Sequence, residues 1–248
     1  MIDLSLMNGV RVAPDLSCAY VEGGATWADV DAATTPFDRA TPGGLISAMG
    51  VAGLSLSGGM GWLRGTCGLS CDNIAAADVV TSDGHLVRAS EFENADLLWA
   101  LKGGGGNFGV VVYLRGLDDS VIAQITEYPA VRPSEMTFAS IWKFGGAVQR
   151  VPATATAFGD RSMSFMFSLD AAWSQPSDDE ANIGWVRGVW LDMQRHSTGR
   201  MYLNFPGLGE WDNLVRDGFG AESYARLQKV KRAYDPGNLF HLNQNMVP

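Results

Sequence analysis

Residues 41–63 read TPGGLISAMGVAGLSLSGGMGWL, and this stretch carries no charged side chain. Seven of its positions are glycine, and one proline and three serines stand among the others. An uncharged span of this length superficially resembles a membrane helix. So many glycines, however, favour turns over a spanning helix. The composition therefore predicts a buried loop system and no membrane partner.

Glycine is abundant in the chain as a whole. It accounts for 30 of 248 residues, or about 12% against a usual share of roughly 7%. The excess lies in three clusters, residues 43–53, 57–62 and 103–109. Backbone N–H groups in such clusters can bind a phosphate without any basic side chain. Tight turns at sheet corners are the alternative, since none of the clusters is a spaced GxGxxG fingerprint.

The charge balance excludes several classes of partner. The formal net charge is −9 and the isoelectric point is near 4.7. DNA, RNA and anionic lipid require a basic surface, and no basic stripe is visible in the sequence. An acidic chain that binds an anionic dinucleotide would need backbone donors of the kind that the glycine clusters offer.

Residue patterns in both halves predict a mixed fold. Asp83-Gly84 between two β-prone runs predicts a tight hairpin, and Thr26 is a candidate N-cap for a short helix. The remaining predicted elements are strands at 10–13, 18–21, 110–114 and within 158–173, a turn at 175–179, and helices at 96–101, 183–193 and from Tyr224 to the stop at Asp235. Strands alternating with helices, followed by a strand and helix layer, make the fold class α+β.

The cysteines and the N-terminus carry little functional information. Cys18, Cys67 and Cys71 form an odd set without a neighbouring histidine, which favours buried thiols over a metal site or a disulfide. We therefore expect no bound metal. The opening MIDLSLMNGVRV has no basic segment before an apolar stretch, so no secretory signal is visible and the cytoplasm is the default location.

Three segments resemble successive signatures of one family. They are residues 50–90 (GVAGLSLSGGMGWLRGTCGLSCDNIAAADVVTSDGHLVRAS), 96–112 (DLLWALKGGGGNFGVVV) and 224–245 (YARLQKVKRAYDPGNLFHLNQN). Together they resemble the FAD-linked, PCMH-type oxidoreductases that include berberine-bridge-like and oligosaccharide oxidases. The resemblance implies an FAD-binding domain at 1–117, a reduced substrate domain at 118–205 and a C-terminal segment at 206–248 that returns to the FAD domain.

The resemblance also implies a cofactor site. Family members hold FAD between two α+β subdomains and oxidise the substrate by hydride transfer to the flavin, which O₂ usually reoxidises. Backbone glycines would line the pyrophosphate and the flavin, the start of a strand would contact the flavin or the adenine side, and a tail asparagine would lie near the ring. The positions implied are Gly43, Gly44, Gly50, Gly53, Gly58, Gly59, Gly109, Val110 and Asn243. Turn formation, strand pairing and tail anchoring are the structural alternatives for them.

The segment MYLNF, residues 201–205, resembles the family's tyrosine-bearing strand that faces the flavin. The resemblance makes Tyr202 the candidate base or substrate-orienting hydroxyl, with a purely structural role as the alternative. A tyrosine with an ordinary pKa near 10 needs help from a neighbouring charge or the flavin to accept a proton at neutral pH. Phe205 has no hydroxyl and cannot take over this role.

The sequence departs from the family pattern where the flavin is usually tethered. Relatives begin with a strand and a Gly-Gly-His loop that wraps the pyrophosphate and links the flavin through histidine, whereas this sequence starts after that point. His85, His196 and His241 stand in other contexts, and Ile46 occupies the place of a second, cysteine tether. We therefore expect FAD to bind without a covalent link.

The substrate region is also reduced, because only a short, weakly patterned linker joins the strand after Gly109 to residues 136–146. The functional prediction is an FAD-dependent, oxidase-like enzyme that moves a hydride from a small alcohol, sugar or secondary metabolite to flavin. A non-catalytic remnant or interaction domain of the same fold is the alternative. Unpaired strand edges left by the shortened sheet would favour self-association.

Overall fold

The computed structural model describes residues 2–116, 134, 136–194, 200–205, 211–242 and 244–248. Its strands are β1 (Val10–Val12), β2 (Ala19–Glu22), β3 (Ile74–Val80), β4 (Leu86–Ser90), β5 (Val110–Gly116), β6 (Phe138–Lys143) and β7 (Phe165–Asp170). Its α-helices are α1 (Trp27–Thr34), α2 (Val51–Leu56), α3 (Arg64–Cys67), α4 (Ala95–Leu101), α5 (Ala147–Arg150), α6 (Asp179–Gln194), α7 (Trp211–Phe219) and α8 (Ala221–Tyr234). Short 3-10 turns cover Thr35–Phe37, Ser70–Asn73 and Pro176–Asp178.

The larger sheet has five antiparallel strands in the order β1-β2-β5-β3-β4. β3 and β4 form the hairpin predicted from Asp83-Gly84, and Gly84 takes the positive φ of 82° that this turn requires. β5 lies in the centre, so that β2 pairs with one of its edges and β3 with the other. The sheet therefore brings the glycine run before β5 next to the helices that follow β2.

Helix α1 follows β2, as predicted from Thr26. The Asp29 carboxylate accepts hydrogen bonds from the Thr26 backbone N–H at 2.8 Å and from the Thr26 hydroxyl at 2.7 Å, which fixes the first turn. Trp27 and Val30 are buried on the inner side of the helix. The large Trp27 ring thereby becomes the packing surface for the neighbouring glycine-rich segment.

The second sheet contains only β6 and β7 among the described residues, paired antiparallel from Phe138↔Asp170 to Lys143↔Phe165. Arg64 joins it to the first part of the chain. The Arg64 Nε donates to the Lys143 carbonyl at 3.1 Å, and its guanidinium carbon lies 5.3 Å from the centre of the Trp142 ring. Arg64 is itself buried, so the small sheet is held by a contact with little exposure to water.

The observed elements confirm the α+β class and correct several sequence predictions. The glycine-rich stretch is not entirely loop, because α2 lies within it and buries Val51, Leu54 and Leu56. β7 is shorter than the strand predicted within 158–173, and α6 begins four residues before the predicted helix. Helix α7 was not predicted at all.

Some sequence predictions are not tested by the fold. The domain boundaries at 117 and 205 stay predictions, and the linker after β5 falls mainly outside the described residues. Among the described helices, none is long and apolar enough to cross a membrane. Within the same residues, no group of three or more histidine, cysteine or acidic side chains is arranged to hold a metal ion.

Candidate functional site

Two of the predicted cofactor-binding glycines lie open at the start of α2. Gly50 precedes the helix with extended backbone, and Gly53 lies one turn later. A Cβ added to either would meet no heavy atom within 4 Å. Among the described residues, no side chain caps this helix, and the first-turn N–H groups of a helix have no intrahelical acceptor. We call Gly50, Ala52 and Gly53 the open wall.

The open wall is fixed to the core from behind. The Val51 N–H donates to the Ala25 carbonyl at 2.9 Å, and Gly50 forms an isolated antiparallel bridge with Thr26. Val51 itself is buried. The wall is therefore a supported backbone surface, with the N–H groups of Ala52 and Gly53 left for water or for a ligand.

Gly43 and Gly44 face the protein's own Trp27. A Cβ on Gly43 would lie 2.5 Å from Trp27 ring atoms, and one on Gly44 would lie 2.8 Å from the same ring. Real Cβ atoms do not approach this closely, so both positions need glycine to accommodate the indole. The structure gives these two glycines a packing role, and a contact with flavin stays a prediction.

Gly58 and Gly59 form a tight loop after α2 with positive φ angles of 116° and 78°. A Cβ on Gly58 would lie 2.7 Å from the Phe158 ring, and one on Gly59 would lie 2.4 Å from the Ser70 Cβ. Their carbonyls accept hydrogen bonds from Cys71 and Ser70, both at 2.8 Å. The conformation of this loop is thus fixed by its contacts with Phe158, Ser70 and Cys71.

Val110 is the first residue of β5, and Gly109 directly precedes it. A Cβ on Gly109 would lie 2.5 Å from Val79 Cγ1 and 2.7 Å from the Val80 carbonyl oxygen, while Val110 pairs with Val80 in the sheet. Strand pairing accounts for the geometry of both positions. Their predicted backbone contact with the cofactor stays a prediction.

The glycine run before β5 is joined directly to α2. The N–H groups of Gly103 and Gly105 both donate to the Leu56 carbonyl at 2.9 Å, so the C-terminal end of α2 is satisfied by the run. Gly103 also packs on Phe158, because an added Cβ would lie 2.3 Å from its backbone nitrogen. The glycine cluster at 103–109 is therefore bonded to the helix that connects the other two clusters.

Tyr202 lies beneath the Gly58–Met60 loop. Its hydroxyl oxygen accepts hydrogen bonds from the N–H groups of Gly59 at 3.0 Å and Met60 at 3.1 Å, and from the Asn204 side-chain amide at 2.7 Å. Burial raises the pKa of Tyr202 to about 12, although these three donors act in the opposite direction. The hydroxyl is therefore protonated at neutral pH and already has several partners.

Asn243 lies outside the described residues, but its neighbour Gln244 anchors the tail. The Gln244 side-chain amide donates to the Leu203 carbonyl at 2.6 Å, and the Gln244 carbonyl accepts from the Asn107 amide at 3.3 Å. The tail therefore runs between the MYLNF segment and the glycine run before β5.

Sequence reasoning missed a buried ion pair at the C-terminal end of α8. The side chains of Lys231 and Asp235 are both fully buried and meet at 2.6 Å. The Lys231 ammonium also donates to the carbonyls of Asn107 and Phe240, each at 2.8 Å. The i,i+4 spacing of Lys231 and Asp235, just before a Pro-Gly turn, was the one sequence signal for this pair. On a helix rich in lysine and arginine, however, such spacing usually indicates an ion pair at the solvent-exposed surface.

A second buried pair supports the Gly58–Gly59 loop from below. Arg161 binds Asp72 through two nitrogen atoms at 2.5 and 3.0 Å, and it also donates to the Thr156 hydroxyl at 2.7 Å. The neighbouring Cys71 thiol is buried, and burial raises its pKa well above the ordinary value. This cysteine is therefore a protonated core residue, in agreement with the buried-thiol interpretation.

The candidate tether positions lie at the surface. Ile46, at the place of the family's cysteine tether, is 60% exposed and lies four residues before Gly50 in the chain. His85 pairs with Asp83 in the hairpin turn at 2.9 Å, and His241 bonds to the Asn238 carbonyl in the tail. His196 lies outside the described residues. The absence of a covalent flavin link stays a prediction.

Comparison with family profiles identifies two regions of the chain. A profile described as "FAD binding domain" matches residues 1–90, and one described as "Berberine and berberine like" matches residues 201–246. These regions contain the open wall, the MYLNF segment and α8. The chain belongs to the berberine-bridge-enzyme-like group of FAD-linked oxidoreductases.

Curated relatives extend this similarity. The uncharacterized FAD-linked oxidoreductase YgaK of Bacillus subtilis is 24% identical over 369 residues, covering 100% of this chain and 81% of the relative. The xylooligosaccharide oxidase of Thermothelomyces thermophilus is 39% identical over 131 residues, covering 52% of this chain but only 26% of that oxidase. The alignment with YgaK is longer than the chain, so that relative contains segments without a counterpart here.

Solved structures show the same fold. A chitooligosaccharide oxidase superposes with a TM-score of 0.83 at 21% identity, covering 100% of this chain and 82% of that chain. The two sheets and the helices described above therefore have the architecture of the PCMH-type FAD-binding fold.

FAD is the cofactor of this family, and the residues of this chain fit it on one side. The open wall offers backbone that is Cβ-free at Gly50 and Gly53, and the N–H groups of Ala52 and Gly53 have no partner among the described residues. A pyrophosphate or a flavin edge requires donors of this kind. The cavity behind it, lined by Trp27, Ser55 and Ser70 among others, measures only about 40 Å³, which is room for a few water molecules. The cofactor would therefore lie against the wall and not inside this cavity.

Proposed function

We propose that this chain is an FAD-dependent oxidoreductase that takes a hydride from a small alcohol, sugar or secondary metabolite. The observation that carries the proposal is the open wall, because Gly50 and Gly53 are the predicted cofactor glycines with free space above them. The other predicted glycines whose surroundings are described pack on the chain itself. Bound FAD would supply the hydride acceptor.

The residues of the chain would hold the cofactor through backbone. Gly50 and Gly53 would let the dinucleotide approach the helix closely, and the N–H groups of Ala52 and Gly53 would donate to its anionic part. No basic side chain is needed for these contacts. Ile46 lies four residues before Gly50 in the chain and has no thiol, which supports non-covalent binding.

The substrate side would be formed with β6 and β7. The Arg64 contacts with Lys143 and Trp142 connect this sheet to α3, the helix that follows α2. Two of the named relatives are a xylooligosaccharide oxidase and a chitooligosaccharide oxidase, which supports a hydroxyl-bearing donor. A substrate that presents a secondary alcohol or a hemiacetal carbon is therefore the first class to test.

The test is anaerobic reduction of the bound flavin. The chain, loaded with FAD, is mixed with xylooligosaccharides, chitooligosaccharides or simple secondary alcohols, and the visible flavin absorbance is followed. We expect bleaching with at least one donor and recovery of the colour on admission of O₂. Free FAD and the heat-unfolded chain serve as controls. Bound flavin that dithionite bleaches but no donor reduces would contradict the proposal and favour the non-catalytic remnant.

We further propose self-association through the small sheet. Within the described residues, β6 and β7 pair only with each other, so each leaves an unpaired edge. Ile141 and Phe165 on this sheet are both 60% exposed. Light scattering at increasing concentration checks this expectation, and a constant monomer mass would count against it.

A further inference from the structure

Three N–H donors, two from the consecutive residues Gly59 and Met60 and one from the Asn204 side chain, converge on the phenol oxygen of Tyr202. The backbone donors of Gly59 and Met60 lie 3.0 and 3.1 Å from it, and the Asn204 amide nitrogen lies 2.7 Å away. Tyr202 is buried, so water does not substitute for these donors. A buried N–H that loses its acceptor is costly to leave unpaired.

The orientation of the Asn204 amide is fixed by its other neighbours. The same nitrogen donates to the Leu54 carbonyl at 3.1 Å and lies 3.4 Å from the Ser57 carbonyl oxygen. An amide oxygen in this place would face two carbonyl oxygens and repel them. The nitrogen is therefore the atom that points at Tyr202. The other amide orientation, with the oxygen in this place, is excluded, so Asn204 is the third donor.

Aromatic side chains pack against the ring of Tyr202. Phe158 and Phe205 pack edge-on against it, with ring centres 6.1 and 5.1 Å away. On the loop side, a Cβ on Gly58 would lie 3.0 Å from the Tyr202 ring and still closer to Phe158. The aromatic rings thus occupy the space that a side chain at position 58 would need.

This arrangement leaves little capacity for proton transfer. A phenol oxygen has two lone pairs, and three donors already compete for them. Burial raises the pKa of Tyr202 to about 12, so the hydroxyl is a neutral acceptor at neutral pH. A general base needs both a free lone pair and a pKa near the working pH.

We propose that Tyr202 and Asn204 are positioning residues for the cofactor and that Tyr202 does not act as the catalytic base of the reaction. This inference rests on the proposed function. We call their contacts with Leu54 and with residues 57–60 the Tyr202 clasp. The clasp holds the loop at the C-terminal end of α2, and the open wall lies at the other end of this six-residue helix. A shift of the loop is therefore transmitted to the wall through less than two helical turns.

The experiment compares Tyr202→Phe and Asn204→Ala with wild type, and uses Tyr224→Phe as the control. Tyr224 is a half-buried tyrosine on α8, so its variant removes one phenol oxygen away from the clasp. Three quantities are measured: amide hydrogen exchange of Gly59 and Met60 without cofactor, the dissociation constant for FAD, and the visible spectrum of the bound flavin. Asn204→Ala removes a single donor and serves if Tyr202→Phe folds poorly.

The expected result is specific to the clasp variants. Exchange at Gly59 and Met60 becomes about tenfold faster or more in Tyr202→Phe, the dissociation constant for FAD rises about tenfold, and the flavin band changes shape. Tyr224→Phe changes none of these. Wild-type exchange in both clasp variants, or faster exchange with unchanged FAD affinity and spectrum, would overturn the inference.

The same experiment separates this inference from the proposed function. If wild type binds no FAD, the proposed function fails and the positioning role falls with it. If wild type binds FAD and the clasp variants bind it equally well, only the positioning role fails. A pH profile of flavin reduction that keeps both limbs in Tyr202→Phe would support positioning. Loss of the acidic limb, in which the rate rises as a general base loses its proton, would return Tyr202 to the role of base.

Discussion

Replacing Lys231 with methionine should destabilise the chain more than any substitution of an exposed lysine. The ammonium is fully buried and makes three hydrogen bonds, to Asp235 and to the carbonyls of Asn107 and Phe240. These bonds tie α8 and the tail to the glycine run before β5. Methionine matches the length of the lysine stem but supplies no donor.

The magnitude follows from what Lys231→Met leaves behind. The Asp235 carboxylate, also fully buried, would keep only the N–H donors of Leu239 and Phe240. Breaking a buried pair by removing one partner costs about 3–5 kcal/mol. In the double variant with Asp235→Asn, the uncompensated charge is gone, so the loss should be smaller than the sum of the single losses by about 1–3 kcal/mol.

Urea unfolding followed by tryptophan fluorescence measures these losses, since the chain has eight tryptophans. Lys229→Met is the matched control, because Lys229 is exposed on the same helix and its variant should stay within about 0.5 kcal/mol of wild type. A loss below about 1 kcal/mol for Lys231→Met, at an unchanged dependence on urea, would refute the claim that this pair is buried and essential.

Two further predictions use the same unfolding assay. Burial alone would raise the pKa of Asp235, but the Lys231 ammonium and two backbone N–H groups outweigh burial and hold this pKa below its ordinary value. The lowered pKa contributes stability to the folded chain above about pH 4, and this contribution is lost as the pH falls below that value. Asp235→Asn should flatten this acid dependence, and an unchanged slope would contradict it. Gly43→Ala should cost about 1–3 kcal/mol because its Cβ would meet the Trp27 ring. Gly184→Ala, in open space on α6, should stabilise by about 0.5–1 kcal/mol, and equal effects of the two alanines would argue against the Trp27 contact.

Local sequence signals were sufficient where the structure depends on near neighbours. Asp83-Gly84 predicted the β3–β4 hairpin, and Thr26 predicted the start of α1. Helix α2 could not be predicted in the same way, because its glycines favour turns and no side chain caps it. The helix is stabilised by burial of Val51 and Leu54 in the hydrophobic core, which is tertiary information.

The candidate site was only partly predictable for a related reason. The glycine clusters and their family resemblance pointed to the region that contains the open wall. A glycine that accommodates Trp27, however, has the same sequence signal as one that has open space above it. Only the fold separates Gly43 from Gly53. The Lys231 pair shows the same limit, because its burial depends on Asn107, a residue far away in the sequence.

An FAD titration of wild type and Gly53→Ala tests the central claim most directly. The account predicts that wild type binds FAD and releases it on denaturation, whereas Gly53→Ala binds at least about tenfold more weakly, since the added methyl group occupies the contact surface. The stability of the cofactor-free variant should be unchanged or higher, because alanine favours helix. No flavin bound by wild type, or equal affinity of the two proteins, would contradict the open wall as the cofactor site.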